Sequence, residues 1–270
     1  MIFSIAYIII SLGGLASLMY FTGLYAHWYW YWIPIIGFPI CYVLLYGITL
    51  IPLFFISKTI DIDKEVTKKS RIAAFLVRQI NFLTVQLAGV IVEYSNLRAI
   101  NKNKEYMIIY NHVSNFDPML IMNKVKRLIC ITKYANKKIP IAGGFIHKAG
   151  YISIDRENDA EGIKAINKAI DIINNHEASI AISPEGTRSK TGELLPFHPG
   201  SFNIAKRTGV PIVCIGLKNT DKIHKNFPKK FTKVYYDVIY VMYPDEYSDL
   251  TTSEIAHRLH TIYENYLGGK

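Results

Sequence analysis

Apolar and polar positions divide the chain into two unequal parts. Residues 2–21 and 33–56 are almost continuously apolar, and each matches the roughly 20 residues that a helix needs to cross a bilayer core about 30 Å thick. They predict a hairpin of two membrane helices. Between them Tyr25, Trp28, Tyr29, Trp30, Tyr31 and Trp32 surround His27, the composition of an aromatic belt at lipid headgroups. Pro34, Pro39 and Pro52 argue against a straight second helix, which leaves a pair of half-inserted interfacial helices as the alternative. A cleaved signal peptide is disfavoured, because Met1-Ile2-Phe3-Ser4 has no basic segment ahead of the apolar run.

From Arg71 to Tyr94 the chain is apolar except for Arg71, Arg78, Gln79, Asn81, Gln86 and Glu93, which predicts a helix docked on the bilayer or on the domain's own sheet. From Tyr106 onward, strand-length apolar runs alternate with polar-faced helical runs, the rhythm of an α/β domain with a mostly parallel sheet flanked by helices. Strands are expected at Tyr106 to Tyr110, Leu128 to Thr132, Tyr151 to Ile154, Ser179 to Ser183 and Pro211 to Leu217, with an extended segment at Phe231 to Met242. The clearest helices are Pro118 to Lys126, Asp159 to Asn174, Ser201 to Thr208 and one after the capping box Thr251-Thr252-Ser253-Glu254. The expected organisation is therefore two membrane-inserted helices at 1–57, a basic linker and docking helix at 58–94, and an α/β domain at 95–270.

Charge sharpens this division. No Asp, Glu, Lys or Arg precedes Lys58, so the formal charge of +10 lies wholly in the later part. Lys58, Lys64, Lys68, Lys69 and Arg71 follow the second apolar run, and the positive-inside rule puts the long C-terminal part and both termini in the cytoplasm. A basic domain at a membrane surface points to anionic headgroups and phosphorylated substrates as partners, and no nucleic-acid-binding motif is present. Richness in Lys, Ile and Asn points to a bacterial plasma membrane. Cys41, Cys130 and Cys214 sit in apolar runs and read as buried fillers; the eight histidines show no zinc-ligand spacing, so no metal is expected.

Two polar motifs each follow a strand-like run: Asn111-His112-Val113-Ser114-Asn115-Phe116-Asp117-Pro118 and Pro184-Glu185-Gly186-Thr187-Arg188-Ser189. In open α/β sheets ligands bind beyond the carboxyl ends of strands, where both motifs fall. A histidine with a carboxylate partner can take a proton from a hydroxyl, and an Arg beside a Gly-Thr turn can hold a phosphate or an oxyanion. His112 and Asp117 can meet only if Val113 to Phe116 folds back on itself, and Ser114 and Asn115 are turn formers. Asp117, preceding Pro118, is expected to cap the helix that begins there. No Gly-x-Ser-x-Gly surrounds any serine, which disfavours a serine nucleophile.

The two motifs, with Gly150-Tyr151-Ile152-Ser153-Ile154-Asp155-Arg156 and Val210-Pro211-Ile212-Val213, occur in the order of four blocks that resemble the membrane-bound glycerolipid acyltransferases, specifically those acting on 1-acylglycerol-3-phosphate. The likeness covers about residues 105 to 217. It implies that His112 is a general base on the sn-2 hydroxyl, that Asp117 orients it, and that no acyl-enzyme forms. It further implies that Arg156 and Arg188 grip the acceptor phosphate, with Glu185, Gly186, Thr187 and Lys133 completing substrate binding. Ala135, Asn136 and His198 depart from the family's usual residues. The resemblance implies no cofactor beyond the donor, an acyl thioester of coenzyme A or acyl carrier protein; lysophosphatidic acid is the expected acceptor, with another lysophospholipid or a glycolipid as the alternative. Lys222, Lys225, Lys229, Lys230 and Lys233 form a further basic run, either a solvated face or a contact for phosphates, an acidic carrier protein or anionic lipid.

Overall fold

The computed structural model describes residues 2–27, 30–66, 68–100, 104–154 and 159–268. Two apolar helices, α1 (Ile2–Thr22) and α2 (Trp32–Lys58), precede α3 (Arg71–Leu87). There follow β1 (Val90–Ser95), β2 (Met107–Tyr110), α4 (Phe116–Lys124), β3 (Leu128–Lys133), α5 (Ala142–Lys148), β4 (Ile152–Ile154), α6 (Asp159–Asn174) and β5 (Ser179–Ile182). The chain continues through α7 (Asn203–Thr208), β6 (Ile212–Lys218), α8 (Lys222–Asn226), β7 (Thr232–Met242), α9 (Pro244–Tyr247) and α10 (Thr252–Gly268).

The strands form one sheet in the order β1-β7-β6-β2-β5-β3-β4. Its pairs are parallel except β6 with β7, where a chain reversal through α8 lays β7 antiparallel. Central strands covered on both faces read as unbroken apolar runs rather than alternation. Ile108 and Ile109 of β2, Ile180 and Ala181 of β5, and Cys214 and Ile215 of β6 accordingly have no exposure at all. The expected capping box is present at α10, where Thr251 N donates to Glu254 Oε2 (2.7 Å) and Glu254 N to Thr251 Oγ1 (3.2 Å).

The expected helix from Arg71 to Tyr94 is too long. Ser70 starts α3 by accepting from Ala73 N (3.1 Å), but the helix stops at Leu87. Gly89, at φ +66°, turns the chain into β1, which pairs with β7. One side of α3 supplies Ala73, Val77 and Val85 to the domain core. The same helix reaches the apolar hairpin: Tyr46 Oη lies 2.9 Å from Thr84 Oγ1, and Tyr42 Oη donates to Gln86 Oε1 (3.1 Å). Phe3 N donates to Gln79 Oε1 (3.3 Å).

These contacts orient the hairpin. As residue number rises along α3 from 84 to 86, its partner on α2 falls from 46 to 42, so the two helices run antiparallel. Because β1 parallels β7 and β7 opposes β6, α3 ends where β2, β5 and β6 finish. The turn of the hairpin thus extends past the carboxyl end of the sheet. Its outward surface is mostly apolar, with Ile9 65%, Phe21 84% and Phe55 65% exposed, and α1 and α2 are each long and apolar enough to cross a membrane.

Two hydroxyls of α10 fasten it to the sheet: buried Tyr263 places Oη 2.8 Å from Ile109 O and 3.0 Å from Ile215 O, and Tyr266 Oη donates to Asp237 Oδ2 (2.6 Å) of β7. Tyr263→Phe leaves these carbonyls without that donor and is expected to cost about 1–3 kcal/mol. The check is thermal unfolding of the purified variant, read as a Tm lower by several degrees.

Candidate active site

Central strand β2 delivers the first motif. Asn111 prolongs its ladder with a side chain that imitates a peptide: Nδ2 donates to Leu217 O (2.9 Å) while Oδ1 accepts from Leu217 N (2.8 Å). Beyond it the chain folds back onto Asp117, whose side chain is fully buried. Asp117 Oδ2 accepts from Val113 N (2.8 Å) and Ser114 N (2.7 Å) and lies 2.9 Å from His112 Nδ1. The carboxylate therefore points back over the preceding turn instead of capping the helix as expected. Ser114 does that work, its Oγ accepting from Phe116 N (3.3 Å) and its carbonyl from Asp117 N (3.2 Å).

A carboxylate oxygen ringed by donors can only accept, so the neutral His112 ring carries its proton on Nδ1 and presents the lone pair on Nε2. The ring is 18% exposed and meets the Tyr110 ring edge-on at 6.0 Å. That is the geometry of a base with one nitrogen anchored and one free.

The neighbouring strand β5 delivers the second motif, which grips the backbone of the first. Buried Glu185 accepts from His112 N at Oε1 (2.7 Å) and from Leu195 N at Oε2 (3.0 Å), and Ser189 N donates to His112 O (2.8 Å). Burial pushes the Glu185 carboxyl above its ordinary range, partly offset by the two backbone donors. Both of its oxygens are occupied by the fold. Gly186, at φ +69°, makes the turn and spends its N–H on Ser183 O (3.1 Å); a Cβ there would lie 2.8 Å from the His198 ring. Thr187 and Arg188 are exposed, and among the described residues their backbone N–H groups have no acceptor. Arg188 Nη1 donates to Asn115 Oδ1 (2.7 Å), which seats the guanidinium against the histidine loop.

Lys133 is exposed at the end of β3, two strands from β2, and Arg156 lies outside the described residues, as does Asp155. Beside the second motif a cavity of about 880 Å³ runs between the ends of β3, β4 and β5 and helices α6 and α7. Ile131, Ile154, Ile163, Ile166 and Ile182 form its apolar wall, and Glu185, Gly186 and Thr187 its end at the motif. Arg207 Nη1 donates to Asn167 Oδ1 (2.6 Å) on its border. Sequence reading misses this cavity, the ladder role of Asn111 and the contact of Asn115 with Arg188. Asn111 and Asn115 stand inside the first motif and carry their own signal, amides flanking a histidine, whereas the cavity wall comes from five elements distant in the chain. Cys130 and Cys214 are wholly buried as expected, and burial pushes the Cys130 thiol up to about 12.

Residues 91–218 match the family model described as Acyltransferase. The 1-acyl-sn-glycerol-3-phosphate acyltransferase of Cocos nucifera is 33% identical over 181 residues, 65% of this chain and 56% of that protein. The enzyme of the same description from Limnanthes alba is 31% identical over 188 residues, 68% of this chain and 65% of its own. The chain thus spans less than two thirds of either relative. The crystal structure of the 1-acyl-sn-glycerophosphate acyltransferase PlsC from Thermotoga maritima superposes with a TM-score of 0.58 at 22% identity, covering 89% of this chain and 93% of that one, and shows the same fold.

Glu185→Gln tests the bridge between the motifs. The amide keeps one acceptor and turns an NH₂ toward a backbone N–H, so the variant is expected to lose about 1–3 kcal/mol. Because the folded state raises the Glu185 pKa above 4.5, the native protein holds that proton more tightly than the unfolded chain. The associated stability is present below 4.5 and lost as pH rises through the raised value. The gap in Tm between wild type and Glu185→Gln should therefore narrow with rising pH across that interval, measured by unfolding at a series of pH values.

Proposed function

We propose that this chain, whose residues 91–218 match the Acyltransferase family model, transfers a fatty acyl group from a thioester to the sn-2 hydroxyl of 1-acyl-sn-glycerol-3-phosphate, yielding phosphatidic acid. The observation that carries the reading is the His112–Asp117 pair held by the second motif with Arg188 alongside. His112 Nε2 takes the hydroxyl proton as the acceptor oxygen attacks the thioester carbonyl. The tetrahedral intermediate then expels the thiolate, which recovers the proton from the imidazolium. No bond to the enzyme forms. Asp117 keeps the proton on Nδ1 and offsets the imidazolium charge.

Arg188 supplies a planar fork for the acceptor's phosphate, Lys133 adds positive charge from the end of β3, and the resemblance assigns Arg156 to the same phosphate. The free N–H groups of Thr187 and Arg188 are ready donors for a phosphate or for the oxyanion. Glu185 acts through the loop, and Gly186 through the turn that it alone permits. The isoleucine-lined cavity suits an acyl chain. The donor is an acyl thioester of coenzyme A or acyl carrier protein.

The membrane placement follows from the hairpin. Catalytic-domain side chains hold α2 as far as Tyr42, so only about ten residues, or about 15 Å of helix, project beyond Tyr42 toward the turn. A bilayer core is about 30 Å thick, so we read the hairpin as entering one leaflet, the cytoplasmic one by the basic residues that follow it.

Positioned general-base catalysis contributes roughly 10²- to 10⁴-fold, so His112→Ala should lower kcat/KM by at least that much and Asp117→Asn by a lesser factor. Arg188→Ala should chiefly raise KM for lysophosphatidic acid. The measurement is transfer by the purified, detergent-solubilised chain from labelled acyl-coenzyme A and acyl carrier protein donors to lysophosphatidic acid, glycerol-3-phosphate and lysophosphatidylcholine. Preference for a phosphate-free or capped acceptor, or equal loss in Arg188→Ala with every acceptor, would overturn the assignment.

A further inference from the structure

The segment between β6 and β7 is built unlike an ordinary surface loop. Its interior is fixed: Ile223 and Thr220 are buried, Asn219 Nδ2 donates to Lys233 O (3.1 Å), and Asn226 Nδ2 donates to Thr232 Oγ1 (2.9 Å). From this frame two aromatic side chains point outward, Phe227 at 52% and Phe231 at 74% exposure. Around them stand Lys222, Lys225, Lys229 and Lys230, all exposed, and Asp221 is the one acidic residue between 219 and 231. Asp221 approaches Lys225 at 3.8 Å, and among the described residues Lys222, Lys229 and Lys230 have no carboxylate partner. Exposed rings within a fringe of ammonium groups, three of the four without a carboxylate partner among the described residues, are the pattern of an interfacial lipid contact, with rings at the level of the acyl boundary and lysines at anionic headgroups.

Its location gives the same answer. The segment leaves β6 at the carboxyl end of the sheet, where the His112 loop lies, and His224 of α8 packs on Phe116 at 5.3 Å, one residue before Asp117. Phe231 borders Gly89 so closely that a Cβ added to the glycine would lie 3.2 Å from its ring, directly after the end of α3 that holds the hairpin through Gln86 and Tyr42. The hairpin turn projects past this same end. We infer that residues 219–231 are a second membrane footing: Phe227 and Phe231 enter the headgroup boundary of an anionic leaflet, the four lysines meet its phosphates, and with the hairpin they hold the active-site end of the sheet against the lipid. This rests on the membrane placement of the hairpin and is independent of the chemistry assigned to His112.

The test uses the full chain with Cys41→Ser, the buried Cys130 and Cys214 being shielded from labelling. An environment-sensitive fluorophore is placed on Phe231→Cys, and in a separate protein on Phe21→Cys near the hairpin turn, 84% exposed. Both are mixed with phosphatidylcholine vesicles with and without phosphatidylglycerol, and quenched with brominated acyl chains. The position-231 probe should shift to the blue and be quenched on phosphatidylglycerol vesicles, weaken as salt rises, and lose both signals when Lys222, Lys225, Lys229 and Lys230 are changed to Glu, while the position-21 probe stays quenched throughout. A position-231 probe that reports water on phosphatidylglycerol vesicles while the position-21 probe is quenched overturns the inference. So does a blue shift produced by purified acyl carrier protein without vesicles and not by phosphatidylglycerol, which assigns the surface to an acidic protein.

Discussion

Burying a carboxylate away from water costs on the order of several kcal/mol unless donors replace the lost hydration, and the first motif meets this cost for Asp117 at one oxygen, Oδ2, while buried Oδ1 has no hydrogen-bond partner among the described residues. Three donors converge on Oδ2: the backbone of Val113 and Ser114 and the Nδ1 of His112. The two backbone bonds require a tight turn between histidine and aspartate, and the turn in turn fixes the ring. Orientation and tautomer of His112 are thus consequences of satisfying one carboxylate oxygen. Substituting Asp117 would disturb the loop as well as the His112 ring, which is why any effect on the proposed reaction has to be separated from its effect on folding.

A turn at the tip of one strand is not a site until its neighbours are placed. Here β2 lies between β5 and β6, and each neighbour fastens the residue or backbone next to the base. From β6, Leu217 receives the Asn111 amide as an extra rung of the ladder. From β5, Glu185 and Ser189 hold the N–H and the carbonyl of His112. Parallel neighbours bring their loops to one end without a hairpin between them, so residues 73 positions apart in sequence share hydrogen bonds. The sheet is the positioning device, and the two motifs complete each other through main-chain contacts.

Much of this was legible. The two apolar helices, the parallel core and the α6 boundaries follow from runs and periods in the chain, and the Thr251 capping box from four residues. The edge strand β1 was not, because Val90-Ile91-Val92 continues the apolar tone of α3 and a lone glycine is the only mark of the break. The direction of the Asp117 carboxylate was hidden for a similar reason: an aspartate before a proline reads as a cap, and only the folded turn shows that Ser114 already serves the helix. Glu185 carries no sequence sign that both of its oxygens would face backbone. Arg156, named by the resemblance, lies outside the described residues, so its part in the site stands on sequence.

The charge left over at the site follows from that use of Glu185. Were its carboxylate free, the nearest anion in sequence to Arg188 would neutralise the guanidinium and close the site to phosphate. With Oε1 and Oε2 committed to His112 N and Leu195 N, Arg188 instead rests on the neutral Asn115 amide, which directs the fork without cancelling its charge. Asp117 is likewise committed, to the turn and to His112. Two carboxylates therefore shape the candidate site while contributing no free anion at its mouth, and the exposed Arg188, with the N–H groups of Thr187 and Arg188 that have no acceptor among the described residues, leaves a locally positive surface next to His112. In the proposed reaction, an acceptor bearing a phosphate monoester and a nearby hydroxyl meets both features at once. An acceptor without the phosphate would have to leave the guanidinium solvated and would gain nothing from the arrangement that the fold spends two buried acids to maintain.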